Sequence, residues 1–522
     1  MKTPAIALLL LALSETASAG RAEGVAGDET GAPPAGARAR VLPVSLREAV
    51  ALSMNHNLDI EVARYQPWIE DQNVLAALGT WDHVLYAQGS GSENTSIGFS
   101  QLSGATRLES DFITTTLGIR KVLPFGASYD LSYSFDRSAS NNSFLLINPR
   151  WTQTAGLSVA LPVLRGGSTA ANTATLVVAR NGRDISVDQF ERSLTDSVFA
   201  VIVAYADLAF AIENKKVKEQ SLDVARRLLD DNRRKFERGV VARIDVTQAD
   251  AGVAAREEEI ITAEAAIQNA ADRLKRLMDP AMLREEVTLV PVDRPKALET
   301  VIDERSAVEK AMEEALGRRP EIAQVRRQIA SQDVLIARAG NDLLPRLDLT
   351  GRASVNGTDG EYGGAGHVAS TGDARELVAG IVFEIPLERS AARGNFTRAE
   401  LEKRRLLLQE RNVHNQILVE IREAVRGVKT NELRIEATRR TRLLAQEQLD
   451  GELTRREQGL STTFRVLDVQ EDLILAQTNE LKAKLDYHLA RHRLRQVTGT
   501  LLEDFGVLLK DNLQPRVSLA SR

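Results

Sequence analysis

The sequence predicts a mainly α-helical protein in which one plan occurs twice: long coiled-coil helices joined to short strands. Charged residues make up 27% of the 522-residue chain and aromatic residues only 4%, a balance typical of long solvated helices. Apolar residues follow a helical period over two long segments. A helix start and a glycine turn both recur at fixed offsets, which indicates an internal repeat. We therefore expect two repeats, residues 43–290 and 291–503, followed by a tail at 504–522.

The N-terminal residues have the features of a secretory signal. Lys2 precedes an apolar run, Ala5 to Leu13, that is too short to span a membrane as a helix. Ala17-Ser18-Ala19 matches the A-x-A cleavage pattern, so residues 1–19 are predicted to be a signal peptide. The Gly-, Ala- and Pro-rich residues 20–42 are predicted to be a disordered linker.

Composition also limits the classes of partner and cofactor. The net charge is −5 and no basic patch dominates, which argues against nucleic acid as a partner. The chain has no cysteine, so disulfides and thiolate metal sites are excluded. His488 and His492 lie one helical turn apart but lack the HExxH glutamate and a third ligand. No catalytic residue, metal site or cofactor is predicted, and we expect a solvated helix face at this pair.

The first repeat opens with a helix and continues into strands. Ser45 and Glu48 have the spacing of a capping box, which predicts a helix from Ser45 to about Leu78. Apolar and polar residues alternate with a period of two over 113–120 and 128–135, which predicts two strands joined by a turn at 123–126. Two further strands are predicted at 84–89 and 151–161. The first repeat therefore has two to four strands.

A very long helical hairpin follows the strands. Arg165-Gly166-Gly167 lacks the GK[ST] ending of a phosphate loop and is predicted to be a bend from strand to helix. From Ala170 to Gly239 a continuous helix would be about 100 Å long at 1.5 Å per residue. The seven residues of its apolar stripe are Phe190, Leu194, Val198, Val201, Tyr205, Leu208 and Ile212.

Glycine permits the left-handed backbone that ends a helix, and Gly239 is predicted to reverse the chain. The return helix is expected from Ile244 to Met278, before Asp279-Pro280. The looser segment around Pro291 and Pro295 is predicted to form a small side domain.

The second repeat has the same order of elements. Ala49-Val50 matches Ala311-Met312 at an offset of 262 (311 − 49), and Gly239 matches Gly459 at an offset of 220 (459 − 239). Strands are predicted at 346–353 and before Pro386, with a Gly-rich loop, 357–372, between them. The second apolar stripe repeats the first at one constant offset, and its members are Val413, Ile417, Ile421, Ala424, Val428, Asn431 and Ile435.

The predicted strands are too few to close a barrel within one chain. Open sheet edges are not tolerated in lipid, because unpaired backbone groups find no partner there. If these strands span a membrane, several copies of the chain must therefore share one barrel. A soluble sandwich shows the same alternation of apolar and polar residues, so the strands alone do not decide between the two.

Taken in order, these motifs resemble the TolC-like outer membrane efflux proteins from about Ser45 to Leu502. The resemblance is carried by duplicated features of the sequence. They are Ala49-Val50 with Asn57-Leu58-Asp59, Ala311-Met312 with Arg319-Pro320-Glu321, the strand ends Leu161-Pro162 and Ile385-Pro386, and the two glycine turns.

The resemblance implies a homotrimer with one shared β-barrel in the lipid of the outer membrane and an α-helical tunnel across the periplasm. Such a protein is the exit duct of a tripartite efflux or type I secretion system. Its partners are a periplasmic adaptor and an inner-membrane pump, and its cargo is small molecules or proteins. The family's glycine tips contact the adaptor. The matching positions here are Gly239, Val240, Val241, Gly459, Leu460 and Ser461.

The resemblance also implies a periplasmic gate, although its residues are only partly preserved. Asp468 matches one of two constriction aspartates of the family, whereas Arg465 replaces the other. Asp245 matches an acidic partner of the closed state, but Ser461 replaces the basic one. Either Arg456 or Arg465 could pair with Asp245 instead. Asp468 could form an acidic ring in the trimer, or it could be an ordinary helix-surface carboxylate.

The alternative from another class is a soluble periplasmic coiled-coil protein, structural or adaptor-like, without a pore. It accounts for the signal peptide and the long helices. It does not account for paired strands placed before both long helices. An enzyme is not expected, because the sequence has no nucleophile motif and no phosphate loop.

Overall fold

The computed structural model describes residues 40–98, 104–293, 304–509 and Leu513. The chain divides into two units, residues 1–40 and 41–522, and the description below concerns the second. The predicted signal peptide, residues 20–39 of the predicted linker, and most of the predicted tail lie outside the described residues. The first strand begins at Arg40, inside the range predicted as linker.

The described part of the chain is mainly helical, as predicted. Short 3-10 turns at Gly79–Trp81 and Pro280–Arg284 supplement the α-helices. The α-helices are α1 Leu46–His56, α2 Leu58–Leu78, α3 Thr169–Asn172, α4 Ala174–Glu237, α5 Arg243–Met278, α6 Glu304–Arg318, α7 Pro320–Asp342, α8 Tyr362–Thr371, α9 Ser390–Glu457, α10 Thr463–Thr498 and α11 Leu501–Asp504.

Eight strands form two sheets in the described residues. β1 and β6 make a two-stranded sheet, and the other six form one antiparallel sheet in the order β2-β3-β4-β5-β7-β8. The strands are β1 Arg40–Val44, β2 Val84–Ile97, β3 Arg107–Val122, β4 Ser128–Ser140, β5 Arg150–Pro162, β6 Val287–Pro291, β7 Arg346–Asp359 and β8 Arg375–Glu384. The first repeat therefore contributes four strands to the large sheet and the second contributes two, which resolves the open strand count.

Both repeats begin with a broken helix rather than a continuous one, so the prediction of one helix from Ser45 to Leu78 was wrong. The capping box of Ser45 and Glu48 is present, but α1 ends at His56. Asn57 starts α2, because its side-chain oxygen accepts hydrogen bonds from the backbone of Asp59 and Ile60 at 2.7 and 3.4 Å. Arg319 occupies the equivalent place in the second repeat, between α6 and α7.

The apolar stripes of the two longest helices form the core, as the helical period predicts. Six of the seven residues of the α4 stripe are buried, as are five of the seven on α9. By length and composition, α4 is also the one described helix that could cross a membrane, with a mean hydropathy of 1.7 over its most apolar 18-residue window. The buried stripe supplies part of that apolar composition, since 39% of the window is buried inside the chain.

The long helices are arranged in two rows of four. Nearer the large sheet, α4 packs against α2 and α7, and α7 packs against α9. Farther from the sheet, α4 packs against α5 and α10, and α10 packs against α9. Within the first repeat, α4 therefore packs against α2 at one end and α5 at the other. Within the second repeat, α9 packs against α7 and α10 in the same way, as duplication of the unit requires.

The strand register separates the large sheet into an apolar face and a polar face. Residues paired across all six strands point to the same face. One such row is Leu85, Ile119, Leu131, Leu157, Ala353 and Leu377. The adjacent row on the other face is Tyr86, Gly118, Ser132, Gly156, Ser354 and Glu376. We call these the apolar face and the polar face.

Two predictions about the irregular segments need correction. The Gly-rich segment between β7 and β8 is not only a loop, because it contains helix α8. The segment after α5 is not a separate domain. Its strand β6 pairs with β1, and Val287 and Leu289 pack into the same core as Leu208 of α4. Residues 294–303, which include Pro295, lie outside the described part.

Candidate functional site

The two glycine turns join the long helices to their return helices with the same geometry. Gly239 and Gly459 have φ of 72° and 74°, the left-handed conformation that glycine favours. The Val240 amide donates to the Lys235 carbonyl at 2.9 Å, and the Leu460 amide donates to the Arg455 carbonyl at 2.8 Å. This is the Schellman pattern that ends a helix. We call residues 236–245 and 456–465 the first tip and the second tip.

Both tips expose large apolar side chains at equivalent positions. Val240 and Leu460, each of which directly follows the glycine of its tip, are 69% and 75% exposed. Ile244 and Phe464 are a second such pair, at 60% and 66%. Exposed apolar side chains that cluster in this way are typical of a surface that binds another protein. Val241 and Ser461 are half-buried beside them.

The two hairpins pack against each other near their tips, through α4 and α10. Leu228 of α4 lies in one apolar cluster with Val466, Val469 and Leu473 of α10. The α4–α5 pair has its own cluster, in which Leu229 contacts Val253. The first and second hairpins are therefore joined near their tips by an apolar contact between one helix from each.

A buried asparagine lies at this junction. The Asn232 side chain is fully buried, and its Nδ2 donates to the Asp245 carbonyl at 3.1 Å and to the Thr463 hydroxyl at 3.2 Å. The Thr463 hydroxyl in turn donates to an Asp245 carboxylate oxygen at 3.2 Å. Arg456 donates to the Asn232 side-chain oxygen. We call Asn232, Asp245, Arg456 and Thr463 the junction network, because it joins both hairpins.

Arg456 supplies a buried positive charge to the junction network. Its side chain is 9% exposed, and Nη1 lies 3.6 Å from a carboxylate oxygen of Asp231. Burial lowers the pKa of the Arg456 guanidinium from its ordinary value, and the charges of Asp231 and Asp245 oppose that shift. Of the two arginines that the sequence left open, Arg456 is therefore the one that shares a network with Asp245.

Arg465 has a different partner. Its Nη1 lies 2.5 Å from a carboxylate oxygen of Asp468, one helical turn away on α10. Both side chains are about half exposed, so the pair contributes little stability. Within the single chain, Arg465 therefore pairs with Asp468 and not with Asp245. Asp468 is a helix-surface carboxylate neutralised by its neighbour in the single chain.

The second tip has an internal bond in place of the expected basic group. Ser461 donates to a carboxylate oxygen of Glu452, which also lies 3.6 Å from Arg455. Glu452 is the counterpart of Asn232 in the second repeat, at the same offset that relates the two glycines. The two equivalent positions therefore bond differently. Asn232 joins the first tip to the second, whereas the described bonds of Glu452 stay within the second hairpin.

The sequence did not identify Asn232, Thr463 or Glu452. Asn232 lies among charged residues, between Asp231 and Arg233, so a polar side chain there gives no signal of burial. Nothing in the local sequence reveals its partner Thr463, which lies in the other repeat. The offset between the two glycines, applied to every polar position near the tips, would have paired Asn232 with Glu452.

The histidine pair on α10 has a packing role rather than the solvated one predicted. His488 and His492 are half-buried, and their rings pack near Tyr487 and Phe505, with ring centroids 5.7 and 6.1 Å apart. Burial lowers the pKa of both imidazoles. Within the described ranges, no group of three or more His, Asp or Glu side chains could hold a metal ion.

Comparison with known proteins places this arrangement in a family. Residues 128–279 and 311–500, well over half of the chain, match the family model described as outer membrane efflux protein. The outer membrane efflux protein BepC of Brucella suis is 22% identical over 68% of this chain and 74% of its own length. The outer membrane protein TolC of Escherichia coli is 23% identical over 60% of this chain, and that match spans 64% of TolC.

Solved structures of outer membrane channels have the same fold. The CmeC outer membrane channel of Campylobacter jejuni superposes with a TM-score of 0.66 at 17% identity, covering 90% of this chain and 88% of CmeC. The outer membrane protein VceC of Vibrio cholerae gives 0.63 at 18% identity, covering 87% and 96%. The soluble coiled-coil alternative is not supported. The chain belongs to the outer membrane efflux protein family, whose members lie in the outer membrane and extend into the periplasm.

Proposed function

We propose that three copies of this chain form one exit duct, with a shared β-barrel in the outer membrane and a helical tunnel in the periplasm. The large sheet carries this proposal. Within the described sheet, β2 and β8 are edge strands, and one face is apolar. An open edge is not tolerated in lipid, so β8 of one copy must pair with β2 of the next. Three six-stranded sheets close a barrel of 18 strands.

The helical layer supports the same assembly. α5 and α9 lie at the two ends of the row near the tips, and each presents exposed apolar residues, among them Ile261 on α5 and Leu433 on α9. Contact between α9 of one copy and α5 of the next removes those side chains from water. It also closes the row of helices into a tube that continues from the barrel.

We assign the tips to the periplasmic adaptor and the junction network to the gate. Six tip residues are proposed for docking, from Gly239 to Val241 and from Gly459 to Ser461. The exposed apolar side chains of both tips support that role. The proposed gate residues are Asp245, Arg456, Arg465 and Asp468. We add Asn232 and Thr463, because they bond to Asp245 and Arg456. The duct conducts passively and performs no catalysis, and the inner-membrane pump sets its cargo.

The shared barrel can be tested with cysteine pairs, because the chain has no cysteine of its own. Ser90→Cys on β2 is combined in turn with cysteine at 376, 378, 380 or 382 on the polar face of β8. At least one pair is expected to give covalent dimers and trimers in outer membrane fractions on non-reducing gels. Ser90→Cys with Ile381→Cys is the control, because those side chains point to opposite faces. No covalent oligomer from any pair, or recovery in the soluble periplasmic fraction, would refute the proposal.

The Arg465–Asp468 pair gives a second prediction. If Asp468 forms an acidic ring in the trimer, Asp468→Ala should weaken block of the single-channel current by divalent cations. Arg465→Ala should strengthen that block, because it removes the neighbouring positive charge at 2.5 Å. Both currents are measured in planar bilayers. Equal block in the parent and both variants would mean that the carboxylate lies outside the conducting path.

A further inference from the structure

Helix α8 lies against the apolar face of the large sheet, at the end farthest from the long helices. It packs on β7 and β5. The Tyr362 ring contacts the rings of Phe135 and Trp151 edge-on, with centroids 5.9 and 5.5 Å apart. Phe135 pairs with Gln153, and Gln153 pairs with Gly357, so all three lie on the apolar face. A helix therefore covers part of the surface that faces lipid in the proposed barrel.

Glycines on the strand and on the helix let α8 approach the sheet closely. A side chain at Gly357 of β7 would place its Cβ 2.0 Å from the Ala365 carbonyl and 2.3 Å from the Ala369 amide. A Cβ at Gly366 would lie 2.9 Å from a side-chain oxygen of Gln153. Ala365 is fully buried at this contact. This close approach is specific to the end of β7 that α8 covers. A Cβ at Gly351, earlier on the same face of β7, meets nothing within 4 Å.

The helix also covers a polar group that lipid could not accommodate. Gln153 is 3% exposed. Its Nε2 donates to the Tyr362 carbonyl at 2.7 Å, and its Oε1 accepts from the Tyr133 hydroxyl. Without α8 the Gln153 Nε2 would lose its acceptor and face the membrane unpaired, which is unfavourable. The close contacts at Gly357 and Gly366 and the buried Gln153 amide together indicate that α8 is a fixed part of the barrel's outer surface.

The strand length gives the depth of α8 in the membrane. The apolar face begins near Leu347, and Gly357 lies ten residues farther along β7. At about 3.3 Å per residue, the separation is about 33 Å along the strand. A tilt near 40° reduces it to about 25 Å of height, the typical height of a barrel's apolar band. α8 is therefore at the upper boundary of that band, where acyl chains meet headgroups.

We propose that α8 is a membrane-contact helix, seated on the outer wall of the barrel and facing the headgroup boundary of the outer leaflet. This inference rests on the proposed barrel. The outward residues of α8 fit that environment, since they are small or uncharged apart from His367: Tyr362, Gly363, His367, Ser370 and Thr371 are exposed. Tyr362 supplies the aromatic ring that such boundaries favour.

Nitroxide labels on single cysteines test the depth of α8 in the cysteine-free chain. The purified protein carrying His367→Cys is reconstituted into phosphatidylethanolamine–phosphatidylglycerol vesicles. Relaxation by oxygen, which partitions into lipid, is compared with relaxation by a water-soluble nickel chelate. Leu377→Cys, 77% exposed on the apolar face, is the lipid reference, and Arg238→Cys, exposed at the first tip, is the water reference. The ratio at His367→Cys should lie between the two references.

Added side chains supply the matched control. Gly357→Val should move the label at position 367 to the water value, because the valine collides with the α8 backbone, whereas Gly351→Val should leave it unchanged. Tyr362→Ala removes the ring contacts of α8 with Phe135 and Trp151, and it should shift the relaxation ratio at position 367 in the same direction. A water value at position 367 in the otherwise unaltered chain overturns the proposal for α8. A water value for Leu377→Cys overturns the shared barrel itself, so the two failures are distinguishable.

Discussion

Replacing Asn232 with alanine is expected to open the periplasmic end of the channel. The fully buried amide donates to Asp245 and Thr463 and accepts from Arg456. Without it, a carbonyl, a hydroxyl and a largely buried guanidinium lose a partner, at a cost of about 2–3 kcal/mol to the packed tips. If these bonds exist only in the closed state, a loss of about 2 kcal/mol raises the open population about 30-fold.

The measurement is single-channel conductance in planar bilayers, together with sensitivity of cells to large antibiotics. Asn232→Ala should raise both, with the trimer intact on native gels. Ser461→Ala is the matched control, because its bond to Glu452 stays within the second hairpin and Glu452 keeps Arg455 nearby. If the two variants conduct like the parent, the junction network is a packing feature and the gate lies elsewhere.

The apolar stripes and the repeat were predictable because helix geometry alone dictates them. A helical period places Leu194, Val198 and Val201 on one face, and all three are completely buried. The offset between the two helix starts likewise places Ile60 and Ile322 in equivalent buried positions. Such signals are local or repeated, so a single sequence carries them in full.

The break in the first helix and the existence of α8 were missed because local and tertiary effects compete. Asn57 is a strong helix starter, followed by acidic Asp59 and Glu61, and that signal was present in the sequence. α8 gave no comparable signal. It has three glycines in ten residues, which disfavour a helix, and its contact with β5 and β7 outweighs that preference.

The junction network could not be read from the sequence, because its members come from both hairpins. Asn232 and Thr463 lie in different repeats and share no motif. Family resemblance directed attention to Asp245 and to the two arginines, yet the distances decide between them. Arg465 is paired along its own helix with Asp468, whereas Arg456 is buried beside Asn232.

The second large effect is expected from Val240→Ser combined with Leu460→Ser, which should abolish export without affecting assembly. Both side chains are mostly exposed in the chain, so their loss removes little packing from the fold. Burial of a Val or Leu side chain against a partner is worth about 1.5–3 kcal/mol. Loss of both from each protomer therefore removes at least about 3 kcal/mol, and adaptor affinity should fall on the order of 100-fold or more.

Two controls separate adaptor docking from turn stability. Leu508→Ser, at a position 63% exposed and outside the tips, should leave affinity for the cognate adaptor unchanged. Gly459→Ala keeps the apolar side chains but strains the left-handed turn by about 1–2 kcal/mol, and its Cβ meets nothing within 4 Å. It should lower the melting temperature more than the double serine variant does.

Surface plasmon resonance on the purified trimer measures adaptor affinity, and a melting curve on the same sample measures stability. Bulkier replacements of Gly239 or Gly459 should likewise block export while the trimer persists, because nothing lies within 4 Å of a Cβ at either position. If the double serine variant binds the adaptor as the parent does, the tips are plain helix turns. Loss of the trimer in the glycine variants would lead to the same conclusion, since the glycines would then serve folding alone.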